Sequence, residues 1–156
     1  MREGAPLRLW RKDGISKAGS TRDGMSSMTK FVDTNILAYS MDERDSRKQQ
    51  IAKVITIGLI NGTHITSVQV LGEFCRVSTE KIGAPTQEII DFLEPLTPLL
   101  YTKNTIEKAI QIRNHKVPFW DALIAATMLE HNISEIYTED EVFNRIPGIK
   151  AINPFK

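Results

Sequence analysis

Cysteine is nearly absent from this sequence: Cys75 is the only one among 156 residues. One thiol excludes an intramolecular disulfide and any multi-cysteine zinc or iron–sulfur centre. It fits a reducing, cytoplasmic setting. Long apolar runs are also missing. A membrane helix needs about 18 apolar residues in a row, and the longest run here, Val54 to Ile60, is broken by Thr56 and Gly58. No membrane association is expected. The first residues carry charges without an apolar stretch, so they do not read as a secretory signal. His64, His115 and His131 are scattered, without H-E-x-x-H spacing. There is no P-loop, dinucleotide fingerprint or G-x-S-x-G elbow. Net charge is only +1 and announces no polyanion binder.

What is present suits one domain with a sizeable core: 41% hydrophobic and 25% charged residues. The small net charge hides an uneven split. Residues 1–27 hold six Lys/Arg against three Asp/Glu and four of the nine glycines, with no sustained periodicity. They read as a disordered or non-native arm, with Met25 or Met28 as candidate natural starts. Residues 28–156 form the patterned domain and lean acidic.

From Thr29 short β segments alternate with helices. Lys30-Phe31-Val32 reads as a strand, and Asp33-Thr34-Asn35 as cap residues for a helix through Tyr39. Ser46-Arg47-Lys48-Gln49 reads as a capping box opening a helix to about Ile60, stopped by Asn61-Gly62. His64 to Thr66 reads as a strand, and Ser67 as the cap of a helix to about Lys81. Pro85 opens the next helix, Leu96 to Tyr101 is a candidate edge strand, and Asn104 to Glu107 resembles another capping box. A helix follows from Pro118 to about His131, then strands at Glu135–Thr138 and Lys150–Asn153. This alternation implies parallel strands joined by helical crossovers. Ligands of such α/β sheets bind beyond the carboxyl ends of the strands.

Four acids occupy positions of that kind. Asp121 is the one charge in the apolar helix Phe119 to Leu129, where an ionised group needs a partner. Its plain alternative is compensation of the helix dipole. Asp33 ends the first strand, with a turn or cap as the plain alternative. Asp140 follows Ile136-Tyr137-Thr138 and has acidic neighbours, as a solvated loop would. Glu73 borders an apolar helical stripe and could pair with Arg76. If clustered, such acids repel one another and need protons or cations. All-oxygen ligation selects Mg²⁺ or Mn²⁺.

These residues carry a resemblance. Phe31-Val32-Asp33-Thr34-Asn35, Leu71-Gly72-Glu73-Phe74, Phe119-Trp120-Asp121-Ala122-Leu123-Ile124 and Tyr137-Thr138-Glu139-Asp140 resemble the ordered motifs of PIN-domain nucleases. Phe143, Ile146-Pro147-Gly148 and Asn153-Pro154-Phe155 resemble the ends of that family's VapC-type toxins. The resemblance spans about residues 29–155. It implies an α/β/α sandwich with a mostly parallel central sheet and Mg²⁺- or Mn²⁺-dependent cleavage of RNA. It implies Asp33 and Asp121 as primary metal ligands, with Glu73 and Asp140 completing a catalytic quartet. Thr34, Asn35 and Thr138 match positions that hold the carboxylates by hydrogen bonds. One departure is Val142, where many such toxins carry a further acid. The resemblance also implies a cognate antitoxin protein and a homodimer.

Two alternatives share this framework. One is a non-catalytic RNA- or protein-binding module on the same fold. The other is a metal-dependent nuclease or phosphatase acting on another substrate. Cys75, in a largely apolar helix with no base placed near it, reads as a structural thiol.

Overall fold

A computed structural model describes residues 29–156; the arm read at residues 1–27 lies outside the described residues. Strand β1 (Phe31–Val32) is fully buried and leads directly into helix α1 (Thr34–Met41). Helices α2 (Ser46–Ile60), α3 (Val68–Val77), α4 (Thr86–Leu93), α5 (Lys103–Ile112) and α6 (Phe119–Glu130) follow, then strands β2 (Glu135–Tyr137) and β3 (Lys150–Ile152). The strands pair in parallel in the order β1-β2-β3, with Phe31 opposite Ile136 and Ile136 opposite Ala151. Helices flank this sheet, as an α/β/α sandwich requires.

Two expected strands shrink to single bridges. Ile65 pairs with Phe31, and Leu99 pairs with Ser67, both in parallel. Each still extends the sheet: Val32 N donates to Ile65 O at 2.9 Å, and Leu99 N donates to Thr66 O at 2.8 Å. Ser67 leaves the sheet at once because its side chain caps α3, accepting from Val70 N at 3.3 Å. Pro98 has no N–H to extend the ladder on the other segment.

Helix starts shift by a residue or two from the expected boxes. Asp45, not Ser46, caps α2, accepting from Lys48 N at 3.0 Å. An anion there also meets the positive end of the helix dipole. At α5 the cap is Thr102, whose N–H donates to the Thr105 hydroxyl at 2.9 Å. Glu107 is left to an exposed pair with Lys103 at 3.6 Å. Helix α3 runs on through a π-helical turn, Ser78–Ile82, which ends at Gly83 with φ +72°.

The core forms where the sheet meets the helices. Ala122 to Met128 of α6 are buried without a break, and Phe74 and Phe92 meet with ring centroids 4.8 Å apart. Each large side chain withdrawn from water stabilises the fold by about 1.5–3 kcal/mol. The start of α6 is open to solvent despite its apolar sequence: Trp120 is 59% exposed. Among the described residues no helix is long and apolar enough to cross a membrane.

Candidate active site

Asp33 stands where β1 becomes α1. Its carboxylate caps the helix, accepting from Thr34 N at 2.7 Å, and its other oxygen accepts the Thr138 hydroxyl at 2.7 Å. The residue is 8% exposed. Burial pushes its pKa up from 3.8 to about 6. The bonds from Thr138 and Thr34 pull it down, and the charges of Glu73 and Asp140 push it up.

Asp121 occupies the first turn of α6, which opens at Pro118. Its pKa also rises from 3.8 to about 6, first through burial and then through the charges of Asp140, Asp33 and Glu73. This mutual repulsion places the acids in one electrostatic neighbourhood.

Glu73 reaches the site from α3. It accepts the Thr34 hydroxyl at 3.0 Å and the Gln69 amide at 3.4 Å. The alternative partner, Arg76, bonds Glu80 instead at 3.3 Å. Asp140 follows β2, is exposed, and accepts from Val142 N at 2.9 Å, capping the 3-10 turn Glu141–Arg145. Of its acidic neighbours, Glu139 is half-buried and pairs with Lys48 at 2.5 Å, whereas Glu141 is solvated and pairs with the exposed Lys156 at 2.8 Å. Among the described residues no Lys or Arg pairs with Asp33, Glu73, Asp121 or Asp140.

The supporting residues form a relay. Thr138 holds Asp33 and accepts from Asp140 N at 3.0 Å. Asn35 is one bond removed from the carboxylates, with its amide donating to the Thr138 hydroxyl at 3.2 Å. The carbonyl oxygen of Asn35 is buried without a partner among the described residues.

Sequence reasoning passed over Gln69, which joins Glu73 to the Trp120 carbonyl at 3.4 and 3.0 Å. Its signal was its position four residues before Glu73 on one helix face. Cys75 is half-buried, and burial raises its pKa, as a structural thiol requires.

Among the described residues no three His, Cys, Asp or Glu side chains stand as a finished metal cage. The fit to a hard divalent ion lies in the donor chemistry. The set offers carboxylate, hydroxyl and amide oxygens, and among the described residues no Lys or Arg neutralises the acids.

The fold and site define a parallel α/β sandwich with four acids gathered beside its sheet. The sequence pattern of the PIN domain family matches residues 30–149, and the chain belongs to this family. It is 26% identical over 128 residues to Ribonuclease VapC13 of Mycobacterium tuberculosis and, equally, to a VapC ribonuclease of Mycobacterium bovis. Each match covers 78% of this chain and 98% of the relative. Among solved structures, a toxin–antitoxin complex from Klebsiella pneumoniae matches with a TM-score of 0.62 and 22% identity, covering 81% of this chain and 98% of that one. VapBC2 from Rickettsia felis, bound to a DNA fragment from their promoter, matches with a TM-score of 0.58 and 20% identity over the same shares. VapC20 of Mycobacterium tuberculosis, a sarcin-ricin loop cleaving toxin, has a TM-score of 0.54 and 23% identity, covering 72% and 90%.

Proposed function

We propose that this chain is a metal-dependent endoribonuclease, the toxin of a toxin–antitoxin pair, and that Asp33, Glu73, Asp121 and Asp140 form its catalytic site. One observation carries the reading: acids from separate segments meet, their charges push the pKa values of Asp33 and Asp121 up, and among the described residues no Lys or Arg pairs with any of the four. The VapC ribonuclease relatives, matched over nearly their whole length, support RNA as the substrate.

Asp33 and Asp121 are the first ligands for Mg²⁺ or Mn²⁺, with Glu73 and Asp140 completing the set. When bound, such an ion supplies an acidified water and offsets charge on the phosphodiester in an in-line displacement. Asp33 is already oriented by Thr34 N and Thr138, so little rotamer freedom remains to be lost. Thr34 fixes Glu73 from the same helix start.

The antitoxin of the pair approaches an acidic groove. A guanidinium meets a carboxylate with two parallel hydrogen bonds, so a basic side chain directed at Asp33 and Asp121 is the chemistry suited to holding the enzyme off. A homodimer and a cytoplasmic setting belong to the same reading, the latter supported by the lone thiol.

The test is cleavage of a fluorogenic RNA by the purified chain with Mg²⁺ or Mn²⁺ and with chelator, beside Asp121→Asn. Divalent-dependent cleavage lost in the variant supports the reading. RNA binding without cleavage points to the non-catalytic module, and cleavage confined to another phosphodiester or a phosphomonoester points to another substrate.

A further inference from the structure

Glu139 sits between Thr138 and Asp140, yet its side chain serves neither. It turns toward α1 and α2, where both carboxylate oxygens are taken. Tyr39 donates its hydroxyl to Oε2 at 2.8 Å, and Lys48 Nζ donates to Oε1 at 2.5 Å. Lys48 also donates to the Tyr39 hydroxyl at 3.1 Å, closing a triangle. Its ammonium lies 4.5 Å from the centre of the Tyr39 ring and 5.1 Å from that of Phe155. Those rings meet edge to face at 5.2 Å, and Arg47 holds the Phe155 carbonyl at 3.0 Å. The chain's last residues therefore wall in the lysine. The Lys48 and Glu139 side chains are 25% and 29% exposed, close to Lys30–Glu135 and well below the solvated pairs Arg76–Glu80, Lys103–Glu107 and Lys156–Glu141.

The triangle has a geometric consequence. Thr138 attaches the loop after β2 to Asp33, at the start of α1. Thr138 N also donates to Ile152 O at 3.0 Å, and Asn35 donates to the Thr138 hydroxyl at 3.2 Å, so these attachments all converge on one residue. Tyr39 lies on the same helix six residues beyond Asp33, about 9 Å along its axis at about 1.5 Å per residue. Glu139 adds an attachment one residue further along, between Thr138 and Asp140, and so bears on where Asp140 stands relative to Asp33. The lysine also neutralises Glu139, so that an additional free carboxylate does not face the acidic site.

We propose that Glu139, gripped by Tyr39 and Lys48, is a positioning residue that sets the placement of Thr138 and Asp140 at the acidic site. This rests on the nuclease reading above. An RNA-contacting lysine would keep its ammonium open to solvent; Lys48 commits it to a carboxylate, a hydroxyl and two ring faces.

The experiment compares wild type with Lys48→Met, Lys48→Arg, Glu139→Gln and the double variant Lys48→Met/Glu139→Gln. It reads kcat and KM on a fluorogenic RNA, Mn²⁺ affinity without RNA by calorimetry, and Tm. A displacement of about 1 Å at a reacting centre can cost about 100-fold. Lys48→Met and Glu139→Gln should each lower kcat by about tenfold or more and weaken Mn²⁺ binding, with KM within about twofold of wild type. The double variant should be no worse than the worse single one, as residues acting as a unit require. Lys48→Arg should restore both quantities. Tyr39→Phe removes one hydroxyl and keeps the ring, so it supplies the same test if Lys48→Met does not fold.

Wild-type kcat and Mn²⁺ affinity in the folded variants would overturn the inference and leave the nuclease reading standing. A raised KM at unchanged kcat would overturn it in favour of an RNA-gripping lysine. A loss of Tm alone, with kcat and Mn²⁺ affinity per folded molecule unchanged, would reduce the triangle to structure and overturn it too. If wild type neither binds Mn²⁺ nor cuts RNA, the nuclease reading itself fails and the inference falls with it.

Discussion

Thr138 donates its hydroxyl to Asp33 at 2.7 Å, joining residues 105 positions apart in the chain. The same oxygen accepts from Asn35 and from Asp140 N, so one side-chain atom links three parts of the site. Thr138→Val keeps the shape and removes that atom. Asp33 then loses the largest influence holding its pKa down. The acid limb of the pH–rate profile should move to higher pH, and stability should fall by about 1–3 kcal/mol as buried polar partners are left unmatched. Denaturant melts and initial rates from pH 5 to 9 measure both effects.

Stability of the metal-free protein should depend on pH through Asp33 and Asp121. Both have folded pKa values raised from 3.8 to about 6. A carboxyl shifted upward contributes stability that is fully present below 3.8 and is lost as pH rises through about 6. The difference in Tm between wild type and Asp33→Asn should therefore be small at pH 5 and grow in the variant's favour by pH 7.5. Adding Mn²⁺ at pH 7.5 should recover stability in wild type only. A pH-independent difference would show that Asp33 carries no such burden.

Asp121→Asn removes one charge from the repelling group while keeping the side chain's size. Cleavage should fall by orders of magnitude. Stability without metal should be unchanged or higher, as where a strained site trades stability for activity. A residue serving only the helix dipole would instead cost about 0.3–1 kcal/mol and leave activity intact. Paired melts and rate assays distinguish the two outcomes.

Gly58 lies within α2, where alanine is ordinarily favoured by about 1 kcal/mol. Here a Cβ would stand 2.5 Å from His64 Cδ2. The His64 ring also meets the Tyr137 ring edge to face at 5.4 Å. Gly58→Ala should therefore lower Tm, because overpacking costs about 1–3 kcal/mol. A higher Tm would mean that the imidazole gives way freely.

Removing residues 1–27 takes away a net charge of +3 and none of the described elements. The melting temperature should barely move, and RNase activity should survive. A large loss of stability would place the domain boundary upstream of residue 28.

The sequence by itself determined the succession of helices, three of the five expected strands, the parallel sheet they imply and the positions of the four acids along the chain. These are local properties. A stripe of apolar residues, a proline in a first turn or an acid after a short strand is specified within a few positions of chain. The exact caps lay at the limit of that information, because Asp45 and Ser46, or Thr102 and Asn104, offer similar chemistry side by side. Tertiary structure alone decided the rest. The segments around Ile65 and Leu99 became bridges once Ser67 turned to cap α3 and Pro98 withheld an N–H. Glu139 and Asp140 are neighbours in one acidic run, yet the first is neutralised by Lys48 and the second pairs with no Lys or Arg among the described residues. Nothing local separates them. The difference arises because Lys48, 91 residues away, is carried to one of them by the packing of α2 against α1, and a charge's partner is set by distance in space.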